Sequence, residues 1–490
     1  MSKINKLFLA VCLLTSLCLQ AQEKAAIQQP NFLFVFSDDQ RYDLIGALGH
    51  PEVKTPNLDR LVNNGATFTH AYNMGAWNGA VCVASRAMMI SGLSVWDAHQ
   101  QEGDFQNKAD QKQFWPQLLE KAGYDTYMTG KWHVKADAES IFQHVVHVRP
   151  GMPNQTPEGY DRPKSRSDTT WQPWDKKFEG FWKGGKHWSE VLADDALAFM
   201  EQAKDSSNPF MMYLAFNAPH DPRQSPKEFV DMYPVESIAL PPSHMDMYPY
   251  KDSIGLSEKL RDEALAPFPR TAYAVRKNIQ EYYAIITHMD EQIGKILDAL
   301  EASGKMDNTY IIFTSDHGLA VGHHGLMGKQ NMFDHSVRPP LLISGPGIPK
   351  GKRFAQQVYL QDVSATMLDL AGVKKPDHTV FNSLMPYIRE GAESAYPAIY
   401  SCYLDLQRMV RTDKHKLIVY PKLNKLLLFD MEKDPHELRD RSEDPAYQRV
   451  KEDMMNLLLQ QQSERNDPMG RIDFSSYQNN SKLVAKEIKR

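Results

Sequence analysis

Four stretches of this chain set reactive side chains directly after an apolar run. Phe32 to Phe36 leads into Ser37, Asp38 and Asp39, and Asp125 to Met128 leads into Thr129-Gly130-Lys131-Trp132-His133. Phe210 to Phe216 leads into Asn217-Ala218-Pro219-His220, and Tyr310 to Phe313 into Thr314-Ser315-Asp316-His317-Gly318. Acids, histidines and a lysine are the groups that transfer protons and neutralise charge. Continuous apolar runs read as buried strands of a parallel sheet. In such a sheet all strand ends share one edge, and ligands bind there. Polar residues that merely end a strand account for one or two such clusters. Four with this chemistry point to a single site.

A fifth segment, Cys82-Val83-Ala84-Ser85-Arg86 followed by Ser91-Gly92, puts a cysteine near the expected start of a helix. An arginine follows four residues on. The helix dipole and Arg86 both favour negative charge at this cysteine. Taken alone, the segment also fits a buried free cysteine near a helix cap.

Together these residues resemble the type I, formylglycine-dependent sulfatases of the alkaline phosphatase-like superfamily. Cys-x-Ala-x-Arg matches their signature, and the remaining clusters fall in the family order over roughly residues 30 to 470. The resemblance implies an α/β fold, the alkaline-phosphatase-like α/β/α sandwich with a smaller C-terminal α+β subdomain. It implies that a separate maturation enzyme oxidises Cys82 to formylglycine (3-oxoalanine). Asp38 and Asp39 match the first metal pair, and Asp316 and His317 the second, with position 82 beside the ion. Adjacent carboxylates at strand ends suit calcium, a hard cation that takes oxygen ligands. Many sulfatases carry asparagine where His317 stands. Lys131, His133, His220 and Lys329 match the remaining catalytic positions. The implied roles are a nucleophile at position 82 activated by calcium and Arg86, with Lys131 and Lys329 on the sulfate oxygens. His220, with Lys329, protonates the leaving oxygen, and His133 serves as the base that regenerates the site. Ala84 stands where the commonest signature has proline, which leaves open which enzyme matures the chain.

Trp77 and Asn78 precede the nucleophile closely enough to line a substrate pocket. His323 and His324, between Gly322 and Gly325, and His335 are further substrate-binding candidates, against the alternative of loop positions. A phosphonate or phosphodiester hydrolase of the same superfamily and a non-catalytic sulfated-glycan-binding protein are the competing readings.

The elements that must position these residues are also legible. Thr55 and Pro56 start a helix that Gly65 ends, Gln113 to Ala122 forms another, and Ala274 to Ser303 carries a long apolar face. Leu341 to Ser344 is one more apolar strand. Strand–helix alternation of this kind argues for a layered α/β fold. Residues 134 to 190 read as a long polar insertion containing Tyr160, Trp171, Trp174, Phe178, Trp182, His187 and Trp188, side chains able to stack on sugar rings. Beyond residue 390, Gln407 to Val419 reads as a hairpin turning at Asp413-Lys414, Lys425 to Phe429 as a strand, and Asp444 to Gln462 as a helix.

With 490 residues, 42% hydrophobic and 24% charged, the chain can bury a large core. A net charge of -5 gives none of the basic surplus of a nucleic-acid binder. Lys3, Lys6, the apolar run Leu7 to Leu19 and Ala21 form a secretory signal pattern, too short for a stable membrane span. Leu17 disfavours lipoprotein processing at Cys18. The expected organisation is a signal at 1-21, a catalytic domain at 22-389 and an antiparallel subdomain at 390-490. Export to the periplasm or beyond suits a polymer substrate, with a sulfated algal glycan such as ulvan first and a glycosaminoglycan second. Two of the four cysteines, Cys12 and Cys18, lie in the signal, which leaves Cys82 and Cys402 to be a disulfide or two separate thiols.

Overall fold

The computed structural model describes residues 29–478. The signal pattern at 1–21 lies outside the described residues. Eight strands form the main sheet: β1 (Asn31–Ser37), β2 (Ala66–Tyr72), β4 (Asp125–Lys131), β5 (His144–Arg149), β8 (Phe210–Ala215), β9 (Thr309–Ser315), β10 (Leu341–Ser344) and β11 (Lys352–Tyr359). Their order is β11-β2-β10-β9-β1-β8-β4-β5. β1, with Phe32 to Phe36 wholly buried, pairs in parallel with β8 on one side and β9 on the other. Helices cover both faces. Ala272–Ala302 and Trp188–Lys204 pack together on one, where Ile285, Met289, Ile293 and Ile296 meet Leu33, Val35 and Leu214. The other face packs against the helix Val81–Ser91 and the second sheet.

That second sheet has the order β15-β14-β13-β12-β3, from β3 (Gly75–Ala76), β12 (Ile399–Tyr403), β13 (Gln407–Arg411), β14 (His415–Tyr420) and β15 (Lys425–Asp430). The hairpin expected at Asp413-Lys414 joins β13 to β14. Four of its strands follow residue 390. The fifth, β3, comes from the segment just before Cys82 and pairs in parallel with β12.

Two expectations change. Leu341–Ser344 is antiparallel to both β9 and β2, not parallel. A strand buried on both faces has the same continuous apolar pattern in either direction, so composition cannot set its sense. The insertion at 134–190 is also not simply a loop. It contains β5 and the hairpin of β6 (Trp182–Lys183) with β7 (Lys186–His187), and the helix starting at Trp188. Its aromatic side chains are mostly structural: Trp171, Trp182 and Trp188 are 6%, 6% and 5% exposed. Among the described residues no helix is long and apolar enough to cross a membrane.

Candidate active site

The four clusters meet because β9, β1, β8 and β4 are adjacent and parallel. Asp316 and His317 follow β9, Asp38 and Asp39 follow β1, His220 follows β8, and Lys131 and His133 close β4. Cys82 arrives from the other side as the second residue of the helix Val81–Ser91 and is 2% exposed. The Cys82 Sγ lies 3.3 Å from Asp38 Oδ1 and 3.1 Å from Lys329 Nζ. One ligand atom from each of Asp38, Asp39, Cys82 and Asp316 falls within 4.8 Å of the others, all buried. Both Asp39 and His133 hold positive φ, 69° and 58°, a backbone strain that collects at functional sites.

Each acid has a basic partner. Lys131 donates to Asp38, Lys329 to Asp39 at 2.6 Å, and the Arg86 Nε to Asp316 at 3.0 Å. Arg86 also donates to the Lys131 carbonyl at 2.8 Å and lies over the Phe36 ring, while its Nη2 is buried without a partner. The pairing does not relieve the crowding. Burial, then the neighbouring Asp316, pushes Asp38 up to about 6. Burial with Asp38 and Asp316 outweighs Lys329 and pushes Asp39 well above the usual carboxylate range. At Asp316 burial acts upward too, but Arg86, Lys131 and Lys329 overcome it and hold the group well below that range. Three converging buried carboxylates are a donor set for a hard divalent cation, which relieves their repulsion.

The expectation for the cysteine is reversed. Burial, followed by Asp316 and Asp38, pushes the Cys82 thiol well above its ordinary value, against the helix start and the two lysines. Cys402 is a separate buried thiol on β12, so no disulfide joins the two.

His220 Nδ1 lies 2.7 Å from the Asp221 carbonyl and 3.1 Å from its Oδ1, and Nε2 lies 3.7 Å from Asp39. Burial, then Lys329 and Lys131, holds this imidazole well below its usual value. His133 is pushed down to about 3 by burial and Lys131. Its ring packs on Gly151, where an added Cβ would come within 2.2 Å of the ring. His317 is buried, lowered to about 4 by burial and Lys329, with Nδ1 3.2 Å from the Gly318 carbonyl. No compact ligand group among the described residues includes it.

Two candidate substrate positions flank the centre. Trp77 is buried and stacked on His99, and the Asn78 side chain accepts from the Ala80 amide. The histidine candidates fall elsewhere. His323 lies 2.9 Å from the Ser243 hydroxyl, His324 stacks on Phe333 and donates to the Glu437 carbonyl, and His324 and His335 lie 3.4 Å apart. Among the described residues none of them shares a hydrogen bond with the Cys82 cluster; His324 reaches Glu437, just beyond β15 of the second sheet.

The sequence reading missed Asp221, Arg261 and Asp262. Arg261 reaches the His220 ring at 3.5 Å and Asp262 at 2.6 Å, while Gln330 ties Asp262 to the segment carrying Lys329. Asp221 adjoins His220 in sequence and could have been flagged. Arg261 and Asp262 sit in an irregular segment with no periodic signal.

Known proteins resemble the chain over most of its length. Residues 30–373 match the Sulfatase family, and residues 322–464 match the N-sulphoglucosamine sulphohydrolase C-terminal region. The N-acetylglucosamine-6-O-sulfatase of Bacteroides thetaiotaomicron is 27% identical, across 91% of this chain and 89% of that one. The ulvan-active sulfatase of Formosa agariphila is 28% identical, across 71% of this chain and 63% of that one. A protein solved with its substrate D-glucosamine-2-N,6-O-disulfate superposes with a TM-score of 0.71 at 23% identity, covering 90% of this chain and 99% of that one. With a matched region spanning most of the chain and an alkaline-phosphatase-like fold beneath it, the protein belongs to the sulfatase family and is a sulfuric ester hydrolase.

Proposed function

We propose that this chain is an exported sulfatase that removes sulfate from a carbohydrate, using formylglycine at position 82 and calcium. The observation that carries the reading is the position of Cys82, its Sγ 3.3 Å from Asp38 and 3.1 Å from Lys329 inside one buried group of acids and bases. Burial pushes the Cys82 thiol up and makes it a poor nucleophile, which supports an oxidised group at this position. The Sγ stands where an oxygen of formylglycine would sit, and that group supplies the nucleophilic oxygen. Asp38, Asp39 and Asp316, with His317 as a fourth candidate, would hold calcium, which supplies positive charge for the nucleophile and the sulfate oxygens.

The chain's own side chains do the rest. Arg86 offers its unpartnered Nη2 beside Asp316. Lys131 and Lys329 bind and orient the sulfate oxygens. The sulfate's negative charge offsets the lysines that keep His220 neutral, so the imidazole can carry a proton to the leaving sugar oxygen. His133, kept neutral by burial and Lys131, is the base that takes a proton back as the site resets. The Asp221 carbonyl fixes which His220 nitrogen faces the reaction.

A glycan is supported by the relatives named for N-acetylglucosamine-6-O-sulfate and for ulvan, and by the secretory pattern at 1-21. Ulvan is the first choice and a glycosaminoglycan the second. In this reading residues 22-389 carry the chemistry and 390-490 are a smaller subdomain packed on it. The test is peptide mass spectrometry of protein matured in its own host, with turnover of matched sulfate, phosphate and phosphonate esters. A loss of roughly 18 Da at Cys82 with preferred sulfate ester hydrolysis supports the reading. An unmodified thiol, or faster phosphorus ester turnover, refutes it.

A further inference from the structure

A second cleft, of about 550 Å³, opens beside the catalytic edge, lined by Arg149, Pro150, Lys176, Trp182, Lys183 and Trp188 among others. Its size is that of a small-ligand site. Arg149 is the last residue of β5, the neighbour of β4, and is 9% exposed. Its guanidinium lies over the Trp188 ring at 4.6 Å. Among the described residues it makes no side-chain hydrogen bond and has no carboxylate within 4.0 Å. Asp195, the acid whose charge reaches it, is bonded instead to Thr129 and His147. The Arg149 guanidinium reaches solvent at the cleft, where it is open to pair with an anion.

Two further cations stand at the rim. Lys183 has no ion pair among the described residues, and Lys176 donates to the Gly185 carbonyl at 2.7 Å while lying over the Trp182 ring. Glu179 is the one acid on the lining. The Gly184-Gly185 turn, with φ of 62° and 79°, closes the β6–β7 hairpin without a side chain on the wall. The Nε1 atoms of Trp182 and Trp188 are buried without partners.

The cleft and the catalytic centre share a wall. Gly151 packs on the His133 ring, Trp132 donates to the Arg149 carbonyl at 3.4 Å, and Asn217 donates to the Pro150 carbonyl at 3.1 Å. We infer that this cleft binds a second acidic sugar of the same chain, its carboxylate or sulfate on Arg149 and at the Lys176 and Lys183 rim. The inference rests on the sulfated-glycan reading above. It makes the enzyme selective for oligosaccharides with an anionic neighbour to the sulfate being removed.

The test compares kcat/KM on ulvan-derived and heparin-derived tetrasaccharides with kcat/KM on 4-nitrophenyl sulfate, in the matured enzyme. The tetrasaccharide-to-aryl ratio is expected to fall roughly 10- to 100-fold in Arg149→Met, the range for lost charged hydrogen bonds. A fall of about 3- to 10-fold is expected in the double variant K176Q/K183Q. Ratios unchanged in both proteins, or a wild type that turns over the aryl ester and neither tetrasaccharide, overturn the inference and leave the sulfatase reading standing. Should Arg149→Met fail to fold, the double variant alone decides. A matured wild type that cleaves no sulfate ester at all refutes the parent reading instead.

Discussion

Two buried clusters of charge organise this molecule, and they are built in opposite ways. At the catalytic edge Asp38, Asp39 and Asp316 crowd together, with Lys131, Lys329 and Arg86 behind them. Where the second sheet meets the segment after Lys329, two acids, Asp334 and Glu437, sit among three cations. Asp334 lies 2.8 Å from Lys416, 3.2 Å from Arg338 and 3.6 Å from Arg411, and Lys416 is shared with Glu437 at 2.6 Å. Burial pushes Asp334 up, but Lys416, Arg411 and Arg338 outweigh it and hold the carboxyl well below its usual range. Asp38 and Asp39 are pushed the other way. The Asp334 cluster sets two acids against three cations and joins two parts of the fold. The catalytic cluster keeps like charges together, an arrangement that works against folding and serves ligand binding.

The contrast can be broken most severely at Cys82. Cys82→Ala is expected to reduce sulfate ester turnover by at least about 10⁴-fold while leaving the melting temperature near wild type, since only a nucleophile is lost. Turnover within tenfold of wild type would remove position 82 from the chemistry. Next comes metal removal. Chelation should lower kcat/KM by roughly 100- to 1000-fold, with calcium restoring it. Calcium at about 100 times its Kd should add about 2.7 kcal/mol to the unfolding free energy. A melting curve insensitive to calcium would contradict the crowded-carboxylate account.

The other cluster should respond in stability. Asp334→Ala leaves Lys416, Arg338 and Arg411 with one fewer acid, and a loss of roughly 3–5 kcal/mol is expected in urea denaturation. A change under about 1 kcal/mol would mean the cluster holds nothing together. Gly151→Ala drives a methyl group into the His133 ring, and kcat should fall roughly 10- to 100-fold with little change in stability. The smallest effect is expected at His317, which falls in no compact ligand group among the described residues. His317→Asn offers an amide oxygen in place of a nitrogen, and kcat/KM should stay within about tenfold. A larger loss would mark the His317 imidazole as necessary.

Much of the fold was legible because burial writes itself into composition. β1, β8 and β9 are continuous apolar runs, and the helix Ala272–Ala302 repeats its apolar face every three to four residues. β2, β5 and β11 were missed. They lie toward the sheet edges, where exposed and polar positions such as His144, His147, Lys352 and Arg353 break the pattern. The tryptophans of the insertion misled for a related reason. Aromatic residues in a polar segment suit sugar stacking, yet here Trp171, Trp182 and Trp188 are largely buried, each with a cation over its ring: Arg162, Lys176 and Arg149.

By itself the sequence determined which chemistry this protein carries and where along the chain it lies. Residue type and the step from an apolar run to acids, histidines and lysine are local properties, and a strand's end is local too. Only the tertiary structure decided how those ends face one another. It raised Asp38 and Asp39, pushed the Cys82 thiol up, drew His324 and His335 away toward the second sheet, and turned Arg149 into a cleft with no carboxylate partner among the described residues. Those outcomes depend on distance and desolvation, which are set by residues far apart in the chain and carry no signature in any one segment.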